Sequence, residues 1–132
     1  MNRNGIIHPE VRKAISAIGH TQFFVIADAG LPIPDTVSNS IDISFTKGIP
    51  DFISVLTAVL DELVVESYIY AEETEAMNTK VYQYLCEALT DVPSEKVSHS
   101  DFKKLVENAY VVLRTGECSS FSNVILVAGV DF

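Results

Sequence analysis

The chain has 132 residues, of which 48% are hydrophobic and 20% charged, which gives one domain, residues 1–132, around one core and excludes a disordered chain. A formal net charge of −9, with nine Lys and Arg scattered from Arg3 to Arg114, argues against a nucleic-acid partner, because phosphates are repelled by such a surface. Asp61, Glu62 and Glu66 interrupt the longest apolar stretch, so no segment reaches the ~20 apolar residues of a membrane span.

Met1 to Pro9 holds no apolar block followed by a small-residue cleavage site, so the cytoplasm is the expected compartment. Cys86 and Cys118 are then expected as free thiols. A mean hydropathy of +0.24 is high for so short a chain, which must leave apolar area at a boundary, and self-association is the expected outcome.

In chain order, Val11, Ala14, Ile15 and Ile18 recur at helical spacing between Pro9 and Gly19, predicting a short amphipathic helix. His8, before Pro9, reads as a solvated loop residue. Phe23 to Ala27 is a continuous apolar run, read as a strand buried on both faces and ending at Asp28. Pro32 and Pro34 keep the following loop extended. Ile41, Ile43 and Phe45 alternate with polar residues and predict a half-buried strand. A second helix starts at Pro50-Asp51 and carries the stripe Phe52, Val55, Leu56, Val59, Leu60 and Leu63.

Val64 to Tyr70 predicts a strand, and Glu72 to Glu75 reads as a solvated acidic face rather than a metal site, since no His lies nearby. Asn78 caps a third helix bearing Val81, Tyr84, Leu85, Ala88 and Leu89, with Cys86 expected as a small buried hydrophobe in its stripe. Lys96-Val97 is a short strand, and Ser100-Asp101 open a fourth helix through Ala109. Tyr110 to Leu113 and Val124 to Val130 are the last strands. Strands alternating with helices indicate an α/β layered domain with a sheet of about six strands.

Three polar clusters fall at the ends of predicted elements, where α/β proteins place their sites. They are Gly19-His20-Thr21 with Asp28-Ala29-Gly30, then Ser98-His99-Ser100, then Gly116 to Asn123. His20 is a candidate functional residue, and a polar residue closing a helix is the competing account. Asp28 reads equally as a turn former bonding its own backbone, and His99 as a solvated loop residue.

Gly19-His20-Thr21, Asp28-Ala29-Gly30-Leu31-Pro32-Ile33-Pro34, Gly48-Ile49-Pro50, Ala71-Glu72-Glu73, the His99 to Lys103 stretch, Arg114-Thr115-Gly116-Glu117-Cys118-Ser119 and Asn123-Val124-Ile125-Leu126 occur in this order. Together they resemble the sugar-mutarotase family that includes D-ribose pyranase and L-fucose mutarotase, over nearly the whole chain. The resemblance implies interconversion of the pyranose and furanose forms of a monosaccharide, ribose first and fucose as the alternative. A non-catalytic sugar-binding member is the rival from another class. It implies His20 as the acid/base residue, with Asp28, His99, Phe121, Ser122 and Asn123 at the sugar. The resemblance also implies a three-layer α/β/α sandwich over a mostly parallel or mixed sheet, and ring-shaped assembly, a homodecamer of two pentamers in the ribose enzymes. Phe121 departs from the family's usual Tyr. Ring opening and closure are proton transfers, so neither a cofactor nor a metal is expected; histidine, with an ordinary pKa of about 6.5, suits the work. Asp28 is open to two roles, orienting the imidazole or accepting a sugar hydroxyl.

Overall fold

The computed structural model describes all residues, 1–132. Its elements are α1 (Pro9–Ala17), β1 (Phe23–Ala27), β2 (Asn39–Asp42), α2 (Phe52–Leu60), β3 (Val65–Ala71), α3 (Glu72–Met77), α4 (Thr79–Ala88), β4 (Ser94–Val97), α5 (His99–Val106), β5 (Val111–Arg114) and β6 (Val124–Ala128). The six strands form one sheet in the order β2-β5-β1-β6-β3-β4. All neighbouring pairs are parallel except those of β6, which runs antiparallel to both β1 and β3.

Successive strand residues face opposite sides of a sheet, and here both sides are covered. Phe24, Ile26, Val111, Leu113, Val124 and Leu126 pack against α1, α2 and α4 through Val11, Phe52, Leu56, Val81 and Leu85. Val25, Ala27, Val112, Ile125 and Val127 pack on the other side against Phe102, Val106 and Ala109 of the α5 region. This is the three-layer arrangement that the resemblance implies, and the apolar runs read as continuous because both faces of β1, β5 and β6 are buried.

The helix starts follow from short polar side chains that accept orphan backbone N–H groups. Asp51 accepts from Ser54 N at 3.2 Å, Asn78 from Val81 N at 3.3 Å and Ser98 from Asp101 N at 3.1 Å. Ser98, and not Ser100, therefore caps α5, and the helix begins at His99. His8 is no mere solvated residue, since its Nδ1 accepts from Val11 N at 3.5 Å and caps α1.

Three further expectations are corrected. The strand expected through Phe45 stops at Asp42, because Asp42 takes the N–H and hydroxyl of Ser44 in a local turn, and Phe45 is exposed. The fourth helix, expected through Ala109, is α5 and ends at Val106, while the acidic stretch forms α3 with Glu72 exposed and Thr74 fully buried. Cys86 is exposed, one step off the face that carries Val81 and Leu85. No helix is long and apolar enough to cross a membrane.

Candidate active site

Because β1, β3, β4 and β5 run the same way, their C-terminal ends gather at one edge of the sheet, together with the start of the antiparallel β6. Asp28, Thr74, His99, Thr115 and Asn123 follow or precede those ends. This edge is where open α/β sheets place ligands.

Asp28 is held from two directions. Asn123 accepts the Asp28 N–H through Oδ1 at 2.8 Å and donates through Nδ2 to Asp28 Oδ2 at 2.9 Å. Gly30 N donates to Asp28 Oδ1 at 2.9 Å. The carboxylate is thus fixed in place as a hydrogen-bond acceptor at the mouth of a cleft.

His99 opens α5, and its backbone N–H donates to both oxygens of Glu73, each at 3.0 Å. Its ring lies parallel to Phe102 at 6.3 Å and meets Phe121 edge-on at 5.0 Å. The ring Nδ1 is buried without a partner.

Phe121 has φ 57°, in the left-handed region that side chains disfavour. Thr74 holds it there by donating to Phe121 O at 2.7 Å, and Asn78 Nδ2 reaches Ser119 Oγ, Ser120 O and Ser122 Oγ at 3.1, 2.7 and 3.1 Å. Ser122 Oγ also lies 2.7 Å from Ser119 Oγ. Ser122 and Asn123 are both buried, and their side chains are occupied inside the protein, shaping the loop and gripping Asp28. Glu117 ties the same loop to the start of α2, accepting from Phe52 N at 3.0 Å and Ser119 N at 3.2 Å.

Two adjoining clefts result, of about 380 and 310 Å³, at the low end of the ~300–1,000 Å³ of small-molecule sites. They share Asp28, Gly30 and Ser120, and the second adds His99, Phe121 and Lys103. The sequence does not mark Lys103, Glu73, Thr74 or Asn78 as site residues, and the partners of the last three lie 26 to 47 positions along the chain. No three His, Cys, Asp or Glu side chains converge in a way that could hold a metal ion.

His20 is not in this cleft. It precedes β1, whose five residues span roughly 15 Å, while Asp28 follows it. At its own edge His20 lies 2.7 Å from Glu66, Nε2 to Oε2, with both side chains about half exposed.

The model of the RbsD / FucU transport protein family matches residues 1–131. The chain belongs to this family. It is 44% identical over its full length to a D-ribose pyranase of Geobacillus thermodenitrificans, 99% of which it covers. It is 41% identical to one of Petrotoga mobilis, with both chains fully covered. Among solved structures, Bacillus subtilis RbsD complexed with D-ribose superposes with a TM-score of 0.95 at 39% identity, each chain covered completely. The fucose mutarotase of Streptococcus pneumoniae in complex with L-fucose shares the fold, with a TM-score of 0.81 at 20% identity over 96% of this chain and 95% of that one.

Proposed function

We propose that the protein is a D-ribose pyranase that opens and recloses the sugar ring by general acid–base catalysis. The anomeric hydroxyl gives up a proton as the ring oxygen gains one, and a different hydroxyl then attacks the open aldehyde. Every step is a proton transfer, of the kind a histidine performs near neutrality. The full-length likeness to D-ribose pyranases at about 40% identity supports ribose as the sugar.

The observation that carries the mechanism is the separation of His20 from Asp28 along β1. A monosaccharide is too small to reach both ends of one strand. Each ribose therefore sits between two chains, with the C-terminal edge of one facing the His20 edge of another. Asp28, His99 and Phe121 bind and orient the sugar, Ser122 and Asn123 support them, and His20 of the neighbouring copy moves the proton. Asp28 then binds sugar, since it cannot orient a histidine at the far end of its own strand.

Closed rings satisfy every such contact at once, and ten chains in two stacked pentamers, working in the cytoplasm, are the proposed form. Exposed Phe45, Ile49 and Ile7 provide apolar area for the contacts. Proton NMR saturation transfer between the pyranose and furanose signals of ribose tests the activity. Exchange accelerated by the protein and abolished in His20→Ala is the expected result, and an uncatalysed rate with wild type would overturn the reading.

A further inference from the structure

Glu66 has no part in the chemistry so far, yet three independent features converge on it. The first is its contact with His20 Nε2 at 2.7 Å. The second is the register of β3 against β6, where Val65 pairs with Ala128 and Ser67 with Val127. Two steps on β3 match one on β6, so Glu66 is the extra residue of a β-bulge, a device that re-aims one side chain out of the strand's alternation. The third is Gly129, where an added Cβ would come within 3.2 Å of Glu66 Cβ and of Val64 Cγ1, and 3.4 Å from Glu66 N. Gly129, beside the bulge and donating to Val64 O at 2.8 Å, is thus a residue that makes room for it.

The backbone around His20 is already pinned. Thr21, at φ 68°, donates its N–H to Ala128 O at 2.8 Å, and Gly19 N donates to Gln22 Oε1 at 2.7 Å. The ring itself is half exposed, and Glu66 is its one hydrogen-bond partner. An ionised carboxylate only accepts, so Nε2 carries the proton and the lone pair is left on Nδ1.

We propose that Glu66 is a positioning residue for proton transfer: the bulged carboxylate holds the His20 ring by its Nε2–H, so that Nδ1 is the nitrogen that exchanges protons with the sugar. This rests on His20 being the proton carrier. Fixing the orientation of a reacting group lowers the barrier without tightening substrate binding. Loss of Glu66 should therefore lower the rate at saturating ribose and leave half-saturation unchanged.

Three measurements test it. In the wild-type assembly, ¹⁵N correlation spectra of the His20 ring should show Nε2–H as the sole neutral tautomer, and in Glu66→Ala a mixture of tautomers. Saturated exchange should fall about tenfold in Glu66→Ala, less than the ~10²-fold or more that loss of an acid–base group itself costs, because the ring is kept and only its orientation is loosened, with KM unchanged. Glu66→Gln, whose amide oxygen can still accept the Nε2–H, should retain more saturated exchange than Glu66→Ala. A wild-type Nδ1–H tautomer, an unchanged saturated rate in Glu66→Ala, or a Glu66→Gln rate no higher than that of Glu66→Ala would each overturn the proposal. If His20→Ala itself retained exchange, the proton-carrier reading would fall first, which separates the two failures.

Discussion

Asn123 grips Asp28 at both its backbone and its carboxylate, at 2.8 and 2.9 Å, and so joins the start of β6 to the end of β1 at the mouth of the cleft. Asn123→Ala removes both bonds from a site that is almost fully buried. The expected loss is about 2–3 kcal/mol, since one bond is to a charged group. Urea unfolding at fixed chain concentration should show a lower midpoint, with ribose half-saturation raised. Unchanged stability would mean that the pair is not a strut of the site.

A sugar held between two chains predicts complementation. His20→Ala and His99→Ala should each be inactive alone, and mixed assemblies of the two should regain exchange at about a quarter of the wild-type sites, where random mixing brings two intact edges together. NMR exchange on co-expressed, tag-separated assemblies measures this. No recovery would place His20 and His99 of one chain in the same site.

Phe121 meets His99 edge-on at 5.0 Å and lines the cleft, where a Tyr would offer a hydroxyl. Phe121→Tyr should tighten ribose binding by ~1 kcal/mol, the net worth of a neutral hydrogen bond. It should weaken binding of a 6-deoxyhexose, whose apolar face leaves that hydroxyl unpaired. Titration of both proteins with both sugars reads the order directly. Tighter binding of the 6-deoxyhexose than of ribose by the wild type, lost in Phe121→Tyr, would assign the site to a deoxy sugar.

Stability should also depend on acid through the start of α2. Burial pushes the Glu117 carboxyl up, but the N–H groups of Phe52 and Ser119 outweigh it and leave the group below its ordinary 4.5. Asp51 is lowered from 3.8 chiefly by its hydrogen bonds with Ser54, against a smaller opposing effect of burial. Groups depressed in the folded state stabilise it above their unfolded values, and that contribution is lost as pH falls through the folded ones. Glu117→Ala should cost about 1 kcal/mol at pH 7, reduced by its partial exposure. The difference from wild type should close toward pH 3. A constant difference across that range would show that charge plays no part.

The sequence by itself determined the layers and most of the elements. Continuous apolar runs at Phe23–Ala27 and Val124–Ala128 have one stable outcome, strands buried on both faces, and the stripe Phe52 to Leu60 has one as well. Where local chemistry competes with pattern, the reading failed. Alternation ran on to Phe45, but the Asx turn at Asp42 ends β2. The acidic run has no apolar period to mark an element, and it folds as α3, where Thr74 donates to Phe121 O and Glu73 accepts from His99 N.

His20, Asp28 and His99 were all visible as polar residues at element ends, but their relation was not. Only the tertiary structure decided that β1 separates His20 from Asp28, that Asn123 faces inward to hold Asp28, and that a bulge turns Glu66 toward His20. These depend on strand order and register, which bring together residues 46 and 95 positions apart. Apolar periodicity specifies which face of a strand is buried, and it carries no information about which strand lies beside it.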